Sequence, residues 1–469
     1  MNTAKVFKSY LKTPFLILLV VEICVLFFSL YLAAYLRSLS SNSNDFLSVI
    51  DSLWIQAAVL SVVTSVAMLS TGLYQGIIRE GVSGVFIRIA VSFIASGLLL
   101  SLFFYALPDL YLQRGLTGLA LIQAFFIIAT IRAIFLELVD TNILKKRIVI
   151  YGAGFTAQQI PNKLRRKSDQ RGFNITGYIP LKNQDVLIDK KELIDLKDEP
   201  LVDYVKRNNI DEVVAATSDT GKNLNVDDLV DCKMNGITVI DILTFFEHEA
   251  GQIRIDIMDP AWLVFSGGFR KSEFHLFAKR IFDLIISTAF IIAVSPILIL
   301  AILAIKIEEG WRAPIFYSQI RTGLKGAPFH VYKFRSMRTD AEAGGAVWAT
   351  KKDNRVTRVG GFMRKTRIDE IPQIYNIMNG SMSFVGPRPE RPEFIDELAS
   401  NIPYYHERHL LKPGLTGWAQ LNYPYGSSIQ DAYQKQLFDM YYIKNNSLFL
   451  DLLILLQTVE IVLFGKGPR

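Results

Sequence analysis

The chain has 469 residues, 51% of them hydrophobic and 20% charged, with a mean hydropathy of +0.27. That length holds roughly three domains, and the apolar excess excludes a purely soluble protein. A formal charge of +7 suits an anionic partner such as a lipid headgroup, a nucleic acid or a phosphorylated substrate, and two cysteines exclude a disulfide framework or a cysteine metal site.

Four apolar runs come first, near 14–36, 51–74, 84–107 and 115–139. Each is about 20 residues or more, enough to cross a bilayer. The first lacks a small-residue cleavage pattern and is followed by three similar runs, so it reads as a span and not as a signal peptide. Lys5, Lys8 and Lys12, then Arg79 and Arg88, then Lys145, Lys146 and Arg147 flank the runs on one side, which the positive-inside rule assigns to the cytoplasm. The stretches 38–50 and 108–114 then face outward. Arg88, Arg132 and Glu137 lie in or near the spans and are expected to snorkel at helix ends.

After the fourth run comes "KKRIVIYGAGFTAQQIPNKLRR", a β-rich run, a glycine turn and a helical pattern. This is the opening of a Rossmann-like unit. Gly152 and Gly154, with Ala157 in the third place, would turn the chain tightly and bring helix N–H groups towards a phosphate, as a cofactor site requires. "GFNITGYIP", "IDEVVAAT" and "GITVIDI" predict further strands of a parallel sheet over 146–245. No acid closes the second strand, where Tyr178-Ile179-Pro180 stands, so the usual ribose anchor is missing and dinucleotide binding stays open. Tyr178 and Lys182 cannot form a helical catalytic dyad with Pro180 between them.

The fifth apolar run, 279–310, decides the topology. A straight crossing would place everything after it outside, yet 312–367 carries thirteen Lys and Arg against three Asp and Glu. Such a segment resists export. Ser295-Pro296 sits near the middle of the run, where proline breaks the backbone ladder and serine can satisfy the freed groups. A re-entrant broken helix, dipping in and returning, is therefore preferred over a fifth span.

Beyond 312, "YSQIRTG", "YKFRSMR", "RVTRVGGFMRKTRIDE", "SFVGPRPERPEF" and "HLLKPGLTGWAQLNYPYG" crowd together. Taken alone, Asp369-Glu370 ahead of Pro372 reads as the acidic first turn of a helix. The combination resembles the bacterial sugar transferase family, the polyprenyl-phosphate hexose-1-phosphate transferases or monotopic phosphoglycosyl transferases. It is similar to their long form, in which a four-span bundle and a Rossmann-like domain precede the catalytic domain. "NYPYG" and the terminal "YYIKNNSLFLDLLILLQTVEIVLFGKGPR" resemble the exopolysaccharide branch.

The resemblance implies a membrane protein with a four-helix transmembrane bundle over 1–142, a Rossmann-like α/β domain over 143–262, a linker and re-entrant helix over 263–310, and a C-terminal α/β catalytic domain over 311–469. The implied reaction moves a sugar 1-phosphate from a UDP-sugar to polyprenyl phosphate, releasing UMP, at the cytoplasmic face of the bacterial inner membrane. Asp369 matches the family's nucleophile, and Glu370 its acidic partner and the ligand of Mg²⁺. Ser295-Pro296 matches the break of its re-entrant helix. Gly380-Ser381 departs from the pattern, which usually has an acid in the second place.

The chemistry agrees with the resemblance. A carboxylate can attack phosphorus to give an acyl phosphate, splitting one displacement into two. Mg²⁺ takes one or two carboxylates and completes its octahedron with phosphates and water. Glycoside hydrolysis needs two carboxyls on opposite sides of one bond, a task for which sequence neighbours are poorly placed. Arg321, Lys333, Arg335, Arg364 and Arg367 are candidates to neutralise a pyrophosphate and to favour ionised Asp369. Pro387, Arg388 and Pro389 form a rigid turn in bare sequence, and by resemblance help hold the uridine end. His406 and His409 make an H-x-x-H without a third ligand, so zinc is not expected. The last apolar run, 448–464, contains Asp451, Gln457 and Glu460 and is expected to pack or lie at an interface. The expected partners are a UDP-sugar, polyprenyl phosphate and the bilayer, with no nucleic acid; self-association and the identity of the hexose stay open. The rival readings are an inactive nucleotide-sensing membrane scaffold and a lipid glycosyltransferase that releases UDP.

Overall fold

The structure, a computed structural model, describes residues 13–41, 53–71, 73–74, 81–108, 114–140, 145–164, 172–182, 184–197, 199–217, 224–269, 271–337, 355–424, 426 and 428–464. The loop and flanking residues 5, 8, 12, 42–50, 79 and 109–113, on which part of the topology expectation rests, lie outside them. The chain separates into two compact units, Ala4–Gly251 and Gln252–Arg469.

The first unit opens with four helices, α1 (Thr13–Ser41), α2 (Trp54–Ser70), α3 (Gly81–Ala106) and α4 (Arg114–Asp140). Each packs on the next, and α4 returns to α1, so they close into a bundle. Leu26, Leu60, Ile89 and Ile128 are fully buried, while Phe28, Val62, Leu102 and Phe126 project outward. Helices apolar on both faces suit a lipid surround. The helix over the second run holds only 17 residues, about 25 Å at 1.5 Å per residue, and so falls short of the other three.

The snorkelling expectation fails for both arginines of the bundle. Arg132 is 2% exposed and meets Glu22 at 2.7 Å, and its Nη1 donates to the Leu73 carbonyl at 2.6 Å. Tyr74 donates its hydroxyl to the same carboxylate. Arg88 is buried and donates to the Thr71 carbonyl at 2.6 Å. A charge in hydrocarbon is so costly that a partner within the bundle wins over a reach to the interface. Glu137, near the helix end, is exposed.

The α/β part runs β1 (Lys146–Tyr151), α5 (Phe155–Lys163), β2 (Phe173–Ile179), α6 (Leu201–Arg207), β3 (Glu212–Ala215), α7 (Val226–Met234), β4 (Thr238–Asp241) and α8 (Ile242–Ala250). The four strands are parallel, as expected, and the sheet order is β2-β1-β3-β4. Val149, Val213, Leu229 and Cys232 belong to its core. Gly152 holds φ +124°, and a Cβ there would stand 2.5 Å from the Ala216 carbonyl oxygen, so only glycine fits this strand end.

The second unit is built on α10 (Glu273–Glu309), which follows the short helix α9 (Pro260–Phe265). It is one helical run of 37 residues, and with α1, α3 and α4 it is one of four described helices long and apolar enough to cross a membrane. Ile285, Ile292, Ile299 and Leu300 are exposed along it. Pro296 lacks the N–H that would bond the Ile292 carbonyl, and the Ser295 hydroxyl donates to that oxygen at 2.9 Å.

Beyond α10 lie the antiparallel pair β5 (Phe316–Thr322) and β6 (Pro328–Phe334), then α11 (Arg358–Thr366), α12 (Gln373–Met378), β7 (Ser383–Val385), α13 (Pro392–Asn401), β8 (Gly414–Thr416), α14 (Trp418–Asn422), α15 (Ile429–Asn445) and α16 (Leu448–Phe464). β7 and β8 pair in parallel. This is the expected α/β unit with few strands. α16 packs, burying Leu450, Asp451, Leu453 and Ile454. Lys279 of α10 meets Asp451 at 2.6 Å, Tyr442 donates to the same carboxylate at 2.6 Å, and both donate to the Val385 carbonyl. That network fixes the end of β7, from which the arginine loop departs.

Candidate active site

Asp369 and Glu370 lie on a 3-10 turn, Ile368–Glu370, and not in the first turn of an α-helix. α11 ends at Thr366 and is capped by Arg367, whose φ of 63° reverses the chain, and Pro372 stands at the N-cap of α12. Between a left-handed residue and a proline there is room for one tight turn only. Both acids are buried, 7% and 8% exposed.

Glu370 is the acid that takes the cations. Its Oε1 accepts from Lys333 Nζ at 3.0 Å and from Arg388 Nη2 at 2.9 Å, while Oε2 stands 3.8 Å from Arg367 Nη1. Burial pushes this carboxyl up, but Arg388, Lys333 and Arg367 outweigh burial and hold it well below the usual carboxylate range. Lys333 is itself pulled down, by burial first and by Arg388, against the opposing charges of Glu370 and Asp369.

Asp369 behaves oppositely: the arginines do favour its ionised form, as expected, but they are outweighed. Burial raises its carboxyl, the charge of Glu370 raises it further, and Lys333, Arg367 and Arg364 offset this only in part. Its Oδ1 is buried with no hydrogen-bond partner. The turn thus holds one satisfied anion beside one unsatisfied, desolvated carboxyl.

Three elements set this geometry. β6 supplies Lys333, and Asn376 of α12 ties that strand to the turn, accepting from Tyr332 N–H at 3.1 Å and donating to the His330 carbonyl at 2.6 Å. The Gly386–Pro389 loop supplies Arg388. It is held where the β7 and β8 backbones meet so closely that a Cβ on Gly414 would lie 2.1 Å from Gly386 N. Behind the loop, Arg408 donates to the Arg388 carbonyl at 3.0 Å and to Asp439 at 3.0 Å, and is 5% exposed. Arg408 and Asp439 carry no local signal in the sequence, because the contact joins residues 31 apart.

The remaining predicted residues divide. Arg321 donates to the Pro389 carbonyl at 3.1 Å and to Gln319, so it braces the loop from β5. Pro387 and Pro389 line a small cleft with Thr322, Gly323, His409 and Pro413. Arg335 lies beyond the end of β6, donates its N–H to the Ile315 carbonyl at 2.8 Å, and offsets in part the burial that raises the carboxyl of Glu309. The strand alternation that would align it with Lys333 has stopped by then. Ser381 donates to Asn379 Oδ1 at 2.8 Å and to the Asn376 carbonyl, closing the turn after α12. His406 and His409 have ring centroids 6.2 Å apart, and among the described residues no three His, Cys, Asp or Glu group as metal ligands. In the α/β part, the Gln184 carboxamide covers Gly154 and accepts the Ala153 N–H at 2.9 Å, while Ala157 is fully buried. The chain's own amide thus occupies a donor that a phosphate would use.

Fold and site together define a membrane-associated α/β protein with a buried acid pair in a basic frame. The chain belongs to the bacterial sugar transferase family, whose sequence model matches residues 274–465, from the second residue of α10 almost to the end of the chain. It is 39% identical over 241 residues to a UDP-N-acetylgalactosamine-undecaprenyl-phosphate N-acetylgalactosaminephosphotransferase of Aeromonas hydrophila, covering 51% of this chain and 56% of that protein. It is 30% identical over 332 residues to a UDP-glucose:undecaprenyl-phosphate glucose-1-phosphate transferase of Xanthomonas campestris pv. campestris, covering 68% and 67%. An undecaprenyl-phosphate glucose phosphotransferase of Komagataeibacter xylinus is 30% identical over 335 residues, covering 70% and 61%. The chain thus spans 56 to 67% of the length of these relatives.

Proposed function

We propose that the chain transfers a hexose 1-phosphate from a UDP-sugar to polyprenyl phosphate, through a covalent intermediate on Asp369, and so begins a surface polysaccharide of the exopolysaccharide kind. The observation that carries this reading is the contrast within the acid pair: Glu370 is neutralised by Lys333 and Arg388, while Asp369 Oδ1 is buried without a partner. A desolvated, unsatisfied carboxylate is a stronger nucleophile than a hydrated one.

In the first step an Asp369 carboxylate oxygen attacks the β-phosphorus of the UDP-sugar. The bond from that phosphorus to the bridging oxygen breaks, UMP departs with the oxygen, and the sugar phosphate stays on Asp369 as an acyl phosphate. In the second step a polyprenyl phosphate oxygen attacks the same phosphorus and displaces the carboxylate, giving polyprenyl diphosphate sugar. Lys333 and Arg388 stabilise charge on the transferring group, and their contact with Glu370 keeps them in place before substrate arrives.

Glu370 would hold Mg²⁺, with its Oε2 3.8 Å from Arg367 Nη1, since this cation takes one or two carboxylates and completes its shell with phosphates and water. When bound, the cation supplies charge neutralisation for the diphosphate. Removal of divalent cation with EDTA is expected to stop turnover and its return to restore it.

α10 is read as re-entrant, with both ends on the cytoplasmic side of the inner membrane. A straight helix of its length would run about 55 Å, nearly twice the hydrocarbon thickness. The test of the reaction gives purified protein polyprenyl phosphate, Mg²⁺ and a panel of UDP-sugars, with both nucleotide products measured. UMP supports phosphosugar transfer; UDP contradicts it in favour of glycosyl transfer. The panel includes UDP-glucose and UDP-N-acetylgalactosamine, because both sugars occur in the relatives' names.

A further inference from the structure

The end of the apolar helix α10 reaches the helix that delivers the acid pair. Glu308, one residue before the end of α10, places Oε1 2.8 Å from the Arg358 N–H and Oε2 2.9 Å from the Val359 N–H. These are the first two amides of α11. The third, Gly360 N–H, donates to Thr357 Oγ1 at 3.0 Å, and the N–H of the cap residue Thr357 itself donates to the Ser336 carbonyl at 3.2 Å. All four donors that a helix leaves open at its start are thus met, two of them by a side chain from 50 residues away.

Packing follows the same line. Ala301 and Ile305 of α10, Met363 of α11 and Phe334 of β6 form one buried cluster, with Ile302, Val359 and Ile368 packed against it. Ile368 is the residue before Asp369, and Phe334 the residue after Lys333. Lys306 donates to the Trp311 and Ala313 carbonyls at 2.6 and 2.8 Å, which fixes the exit of α10. The segment of α10 after Pro296 therefore holds α11 at its side through the cluster and at its start through Glu308. α11 is only nine residues long and ends one residue before the acidic turn. A shift of α10 is thus passed to α11 at both its side and its start, and so towards Asp369.

We infer that Glu308 is a positioning residue, which couples the end of the membrane helix to the nucleophile turn by clamping the first two amides of α11. This rests on the reading of Asp369 as the attacking carboxylate. Glu308 is solvent-exposed and its replacement opens no cavity, so its variants are expected to fold, which the melting temperature checks.

The test compares Glu308→Gln, Glu308→Asp and Thr357→Ala with the full-length wild type, by hydrogen–deuterium exchange and by steady-state kinetics. Thr357→Ala removes a cap within the same helix and serves as the control for loss of capping without loss of the tie to α10. The inference expects Glu308→Gln to raise exchange from Arg358 through the turn to Ile371. It also expects kcat to fall about 10-fold with KM for the UDP-sugar within about twofold, since a displacement under 1 Å at a reacting group costs that much. Glu308→Asp, which keeps the charge, recovers part of the loss, and Thr357→Ala lowers the melting temperature while leaving kcat near wild type. Faster exchange that stops at Gly361 contradicts the inference, as does an equal loss of kcat in Thr357→Ala. Failure of the proposed reaction shows separately, as a wild type without turnover, and the exchange pattern across residues 362–371 then decides the coupling by itself.

Discussion

Replacing Asp369 by Asn keeps the volume of one buried carboxyl and removes its charge and nucleophilicity. Turnover is expected to fall by at least about 1,000-fold with the fold unchanged, as monitored by UMP release and circular dichroism. The same residue sets a pH limb. Burial and Glu370 raise its carboxyl above the ordinary value of 3.8, and attack needs the ionised form. The single-turnover rate is therefore expected to fall as pH drops, with an apparent pKa above that ordinary value. A limb at or below it contradicts the environment described for Asp369. Glu370 obeys the opposite sign. Its folded carboxyl is held below its unfolded value, so its contribution to stability is present above the unfolded pKa and lost as pH falls. Glu370→Gln removes the carboxylate that Lys333 and Arg388 share, a cost on the order of 2 kcal/mol after allowance for their partial exposure. Thermal unfolding should show a gap from wild type that is full at pH 7.5 and narrows only as pH falls below the ordinary carboxylate value of 4.5.

At the scale of elements, α10 and the bundle each carry a testable arrangement. Single cysteines placed near 275 and 309 should both react with a membrane-impermeant thiol reagent from the cytoplasmic side alone; labelling of the two from opposite sides makes α10 a span. Ser295→Ala leaves the Ile292 carbonyl without its donor and is expected to cost about 1 kcal/mol, since Pro296 cannot replace it. In the bundle, Glu22→Leu strands Arg132 and should destabilise by about 3 to 5 kcal/mol, while Glu22→Leu combined with Arg132→Leu recovers most of it. Full additivity of the two changes in a detergent melt contradicts the pairing.

Much of the molecule was readable before its structure. Apolar runs gave the membrane helices, and short β-branched runs between glycine and helical segments gave the parallel sheet, because both signals repeat along the chain. The acid pair was readable through the motifs around it. The division of labour between Asp369 and Glu370 was not, since it depends on which cations arrive from β6 and from the loop after β7. Arg408, Asp439 and Glu308 were missed for the same reason: each acts on a residue brought near only by folding. Arg88 and Arg132 misled, because sequence places a charge near a helix end without showing that a partner waits inside.

The covalent step can be tested on the whole protein without an acceptor. Purified enzyme is incubated with Mg²⁺ and the UDP-sugar it turns over, polyprenyl phosphate is left out, and the intact protein is weighed by mass spectrometry while UMP is counted. The account predicts a hexose-phosphate adduct that maps to Asp369, up to one UMP released per protein molecule, and discharge of the adduct when polyprenyl phosphate is added. UMP that appears only when the acceptor is present, with no adduct at any time, contradicts it.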